Sequence, residues 1–71
     1  MHKNFFNRSS ICNKLKELRG KKSQLEVAAD LDISLSSLSA YENGDRIPRD
    51  EIKVRIANYY GVTVQELFFE E

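Results

Sequence analysis

The chain has 71 residues, 41% hydrophobic and 31% charged, which predicts one small globular domain that buries only about 60% of its unfolded surface. No apolar run approaches the ~20 residues a membrane span needs, and Met1–Phe6 lacks the apolar stretch of a signal peptide. One cysteine (Cys12) and one histidine (His2) are too few for an internal disulfide or a structural zinc site, so the expectation is a reduced, cytoplasmic protein without metal, cofactor or membrane contact.

Eleven basic and eleven acidic residues cancel, yet they are unevenly placed: up to Lys22 there are seven bases against Glu17 alone, and from Ser23 onward four bases against ten acids. That polarity permits a basic face within a neutral molecule.

In chain order, Ile11, Leu15 and Leu18 recur at i, i+4 and i+7 between Lys14, Lys16 and Glu17, which predicts an amphipathic first helix with Ser9 or Ser10 as its cap and Gly20 as its end. Ser23-Gln-Leu-Glu26 is a capping-box pattern opening a second helix with Val27, Ala28 and Leu31 on its inner stripe. Asp32 then suits the left-handed position that stops a helix. Ser34 is placed to cap a third helix from Leu35 to about Asn43, with Leu38 and part of Tyr41 facing inward and Asn43-Gly44 as a stop. Pro48 has the fixed φ suited to the first turn of a fourth helix, on which Ile52, Ile56, Ala57 and Tyr60 share a face that ends at Gly61. Thr63-Val-Gln-Glu66 is a second capping box and opens a short fifth helix carrying Leu67. No segment alternates as a strand must. The prediction is an all-α, compact five-helix bundle.

Residues 24–44 carry the functional signal, with the helix-turn-helix itself over 24–43. Two helices that cross steeply through a tight turn need a small residue where they touch, which Ala28 supplies. Ile33 plugs the turn and Leu38 anchors the second helix in the core. What is left facing outward (Leu35, Ser36, Ser37 and Ala40) is narrow and unobstructed. A helix presented in this way fits the roughly 12 Å major groove of B-DNA, its N-terminal residues nearest the base edges.

Over nearly its whole length the chain resembles the phage-repressor-like helix-turn-helix family of the Cro/C1, or Xre, type, whose members have a lambda-repressor-like fold. The resemblance is carried by Leu18-Arg19, Ser23-Gln24 with Val27-Ala28, Ile33-Ser34 with Leu38-Ser39, and Tyr41-Glu42-Asn43-Gly44. It continues through Pro48, Ile56-Ala57, Tyr60-Gly61-Val62 and Glu66-Leu67-Phe68. It implies one helix-turn-helix domain over residues 1–71, with 1–8 as a partly ordered N-terminal arm. It further implies that Gln24 bonds a phosphate and buttresses the reading helix, and that Leu35, Ser36, Ser37 and Ala40 face the bases. Asn43, Arg46 and Arg49 would then reach the phosphate backbone, contacts that set register while base contacts set sequence.

Three features depart from the family pattern. Four residues rather than about six separate Arg19 from Gln24. Asp32 stands where a turn glycine is common, and the reading helix lacks the Arg, Gln or Asn side chains that form bidentate bonds to bases. Phe5-Phe6 and Phe68-Phe69 bring two aromatic pairs near the ends; some of these rings must cover so small a core, and for those left over the resemblance implies a homodimer through the C-terminal region, including Phe68 and Phe69. The implied function is a repressor that occupies a palindromic operator in double-stranded DNA. The alternative is an antitoxin-like or adaptor module that keeps the fold and binds protein. With no phosphate loop, metal cluster or evident base beside Cys12, neither an enzyme nor a small-molecule substrate is expected.

Overall fold

The computed structural model describes residues 8–69, and among these every regular element is helical. They are α1 (Arg8–Arg19), α2 (Gln24–Leu31), α3 (Leu35–Asn43), α4 (Asp50–Tyr60) and α5 (Gln65–Phe69), the last a single wide π-helical turn. Two boundaries differ from expectation. Ser9 and Ser10 lie within α1 rather than capping it, since a serine costs an isolated helix only a few tenths of a kcal/mol. Pro48 precedes α4 instead of sitting in its first turn: Arg49 is the extended N-cap (φ −66°, ψ 164°), and Asp50 and Glu51 fill the first turn, where the helix dipole favours carboxylates. The expected N-terminal arm, apart from Arg8 which opens α1, lies outside the described residues, as do Phe5 and Phe6.

The remaining predicted N-caps form, although the Ser23–Glu26 box closes in one direction only, without the return bond from Glu26. Ser23 Oγ accepts the Glu26 amide at 3.0 Å and Ser34 Oγ that of Ser37 at 3.0 Å. Thr63 and Glu66 exchange both bonds of their capping box at 2.9 Å, which holds the Glu66 carboxyl below its ordinary value. Helices α2, α3 and α4 end alike, with a left-handed residue (Asp32, Gly44, Gly61) whose successor donates back to the carbonyl five residues earlier. After α2 and α4 that successor, Ile33 or Val62, also packs on the core, the apolar contact usual in this ending. Arg55 of α4 donates to the Leu31 carbonyl at 2.9 Å, satisfying one more open group at the end of α2.

The core is built from one face of each helix. Leu15, Val27, Leu31, Leu38, Ile56, Leu67 and Phe68 are essentially fully buried. Helix α3 packs against both α1 and α2, α4 against α2, and α5 against α1. Lys14 ties α5 down by donating to the Glu66 carbonyl at 2.7 Å. Lys53 is buried, its ammonium 5.1 Å from the Phe69 ring centre and 3.6 Å from an Asp50 carboxylate oxygen.

Two aromatic and apolar expectations are revised. Leu18, expected on the inner stripe, is 37% exposed and borders a small apolar hollow with Val62 and Leu67. Phe68, expected to be available to a partner, is 1% exposed: so small a core needs its ring. Only Phe69 of that pair remains partly accessible.

Asp32 is the one described non-glycine residue with positive φ (59°). A left-handed conformation costs an L-residue about 1–2 kcal/mol, and here a carboxylate also faces the negative end of a helix dipole. Glycine relieves both but adds unfolded-state entropy. Asp32→Gly is therefore expected to stabilise the protein by about 0.5–1 kcal/mol, and Asp32→Val to destabilise it by about 1–2 kcal/mol. Urea denaturation at neutral pH checks both signs.

Candidate nucleic-acid interface

Successive residues on a helix turn by about 100°, so Leu38, Tyr41 and Glu42, the buried residues of α3, lie opposite Ser36, Ala40 and Asn43. That outward row has Leu35 and Ser39 beside it on the Glu42 side and Ser37 on the Tyr41 side. Leu35 is 45% exposed, Ser36 and Asn43 are exposed, and Ser37, Ser39 and Ala40 are half-buried. Ser34 Oγ donates to Ser37 Oγ at 2.9 Å and lies 3.2 Å from Ser36 Oγ, so the hydroxyls at the tip of α3 are joined to one another. At the other end, Asn43 donates to Ser39 Oγ at 3.3 Å.

The orientation of α3 is held from beneath by a carboxylate with no solvent exposure. Glu42 accepts from Arg19 Nε at 3.1 and 2.9 Å, one bond to each oxygen, and from Gln24 Nε2 at 2.9 Å. Arg19 also donates to the Lys22 carbonyl at 2.9 Å. One side chain of α3 is thereby joined to the end of α1, the connection after it and the first residue of α2. The tightness of that connection, four residues long, follows: Arg19 has to reach both Glu42 and the backbone at Lys22. Tyr60 lies in the same neighbourhood, its hydroxyl buried without a protein partner and its pKa pushed up to about 12, first by burial and then by the Glu42 charge. The sequence offers Glu42 only as part of the Tyr41-Glu42-Asn43-Gly44 motif; the recurrence of that motif with Leu18-Arg19 and Ser23-Gln24 is the signal that could have marked it as their partner.

On the Tyr41 side an open hollow runs from the α3 tip to α4. Arg46, Arg49 and Arg55 line it with Ser34 and Ser37, and Asp32 and Glu51 line it too, leaving an excess of one positive charge. The Arg46 guanidinium sits over the Tyr41 ring, 5.6 Å from its centre, a cation–π position that orients the group without neutralising it. The structure thus brings the sequence-predicted residues together in one strip: Gln24 at one margin, Leu35, Ser36, Ser37, Ala40 and Asn43 along the middle, and Arg46 and Arg49 at the other margin. Ser39, which was not anticipated, belongs to the same strip.

Three of the seven bases in the N-terminal segment are taken up within the protein. Lys14 and Arg19 are engaged as described, and Lys22 donates to the Tyr59 hydroxyl at 2.9 Å, which itself donates to Asp30 at 2.6 Å. The bond to Tyr59 raises the Lys22 pKa, and the three side chains fasten the α1–α2 connection to α4.

A family model described as helix-turn-helix matches residues 15–67, a span that includes Arg19, Gln24, Glu42 and the whole strip. No curated protein and no solved structure matches the chain significantly.

Because Glu42 is buried while Arg19 is 22% exposed, removing Arg19 leaves a buried carboxylate held by Gln24 alone, at a cost of about 3 kcal/mol. Arg19→Met is expected to destabilise by about 3 kcal/mol, and Glu42→Leu by less, about 1–2 kcal/mol, because the partly exposed Arg19 can turn to water. The double variant is expected to lose less than the sum of the two, which a double-mutant cycle of urea denaturation midpoints measures.

Proposed function

The chain belongs to the helix-turn-helix family of the phage-repressor-like, Cro/C1 type, and on that premise we propose that it is a cytoplasmic repressor that acts by occupying an operator. The family makes it a DNA-binding transcription regulator; repression and operator occupancy are our reading. Its main support is the arrangement of donors around α3: a strip of small and apolar side chains flanked by Gln24 on one margin and by Arg46 and Arg49 on the other. Phosphates border the major groove on both sides, so a helix seated there needs donors on both margins. In this reading Arg46, Arg49, Asn43 and Gln24 hold phosphates, while Leu35, Ser36, Ser37 and Ala40 face base edges. Gln24 can serve both purposes, since its amide nitrogen carries two hydrogens: one is given to Glu42 and the second is left to donate to a phosphate.

The operator on this reading is palindromic and binds two copies of the chain, setting two reading helices one turn, about 34 Å, apart. The patch that suits such pairing is the apolar hollow between α1 and α5, with Leu18 and Val62, together with the accessible part of Phe69.

Duplex selected from a random pool is expected to bind below micromolar concentration, with affinity falling steeply as salt rises. Arg46→Ala and Arg49→Ala should each lower the log–log salt slope by about 0.9, read by fluorescence anisotropy over a salt series. Failure of every duplex to bind would instead favour the adaptor reading, in which the same fold engages protein. Leu18→Glu is expected to shift the sedimentation of the free protein from dimer to monomer; unchanged sedimentation would remove this face from the dimer.

A further inference from the structure

We propose that α3 reads its half-site chiefly through the 5-methyl groups of thymines, with Leu35 as the side chain that recognises them. The inference rests on the DNA-binding reading above and adds the chemical class of base edge that is recognised.

The exposed end of α3 offers few groups able to form a directional contact. Reading residues lie in the N-terminal part of such a helix, and the long side chain there is Leu35, the one large apolar residue that α3 exposes, at 45%. Its neighbours Ser36 and Ser37 are linked to Ser34 through their hydroxyls. A serine hydroxyl both donates and accepts, so it separates one base from another poorly. Ala40, in the outward row one turn beyond Ser36, carries only a methyl. Asn43, able in principle to pair with adenine, is the last residue of α3 and donates to Ser39. Arg46, Arg49 and Arg55, whose side-chain type pairs well with guanine, lie beyond α3 in the hollow on the Tyr41 side. Of the base features in the major groove, one is apolar: the C5 methyl of thymine. An isobutyl side chain beside small residues, on a helix held rigidly by Glu42, complements that feature and no other. It also explains an exposed leucine at the tip of α3, where burial in the protein itself provides no reason for it.

Burying one such group against Leu35 is worth about 0.8 kcal/mol, or about fourfold in affinity per methyl. The test uses duplexes enriched from a random pool by the full chain, re-amplified with dUTP in place of dTTP. This removes the 5-methyl groups and leaves every base-pairing group in place. The expected result is a loss of about fourfold or more for the wild-type chain. Leu35→Ala, a surface change that leaves the core intact, should bind the thymine duplex about as weakly as the wild type binds the uracil duplex and should respond little to the exchange. Equal binding of thymine and uracil duplexes by the wild type overturns the proposal. So does an undiminished loss in Leu35→Ala, because the methyl would then act through duplex shape. If the protein binds the enriched duplexes with the expected salt dependence but ignores the methyl, only this inference fails. If no duplex binds under any condition, the DNA-binding reading fails and takes this one with it.

Discussion

A carboxylate removed from water is costly unless each of its oxygens is satisfied, and the arrangement around Glu42 meets that demand with groups from three separate stretches of chain. Arg19 brings the end of α1, Gln24 brings the start of α2, and Glu42 itself belongs to the last turn of α3. An apolar contact at this place would hold the helices together but would tolerate sliding. Bonds of 2.9–3.1 Å to defined oxygens tolerate little, so the pitch and rotation of α3 relative to α2 are set. The outward strip, and with it the set of side chains able to face a groove, depends on that setting.

The same network divides the labour of the polar groups. Of the bases in the N-terminal segment, Lys14, Arg19 and Lys22 bind the chain to itself, while Arg46 and Arg49 border the strip without an acid consuming either in a direct ion pair among the described residues. A net charge of zero is therefore compatible with a nucleic-acid surface: what matters is the few positive groups at its margins, because phosphate attraction is local at physiological salt. On the proposed reading, with small residues along the middle of α3, affinity would fall mainly to backbone contacts and discrimination to weak apolar contacts and duplex shape. A regulator built this way gains from pairing two copies, since modest half-site preferences multiply.

Helix limits were the most legible feature of the sequence. Ser23 and Thr63 cap helices where their spacing to Glu26 and Glu66 placed them, Ser34 caps the helix it precedes, and Asp32, Gly44 and Gly61 adopt the left-handed turn anticipated at helix ends. The errors were at Ser9, Ser10 and Pro48, where a plausible cap or first-turn residue was not the one used. The candidate strip was legible too, as periodicity separates Leu38 and Tyr41 from Ser36 and Ala40. Less legible were Leu18 and Phe68: both are large and apolar near a helix end, yet one stands partly in solvent and the other is sealed.

Caps, turns and helical stripes are local, settled by side chains within about four positions of one another, and so the sequence by itself determined the succession of helices and the face that α3 turns outward. Burial of a particular group depends on what arrives opposite it from a distant part of the chain. Only the tertiary structure decided that Glu42 is an interior anchor rather than a surface acid, that Lys22 meets Tyr59, and that Phe68 closes the core while Leu18 opens a hollow. Those outcomes follow from the close packing of α1 on α3 and α5, a long-range geometry to which residue spacing is blind.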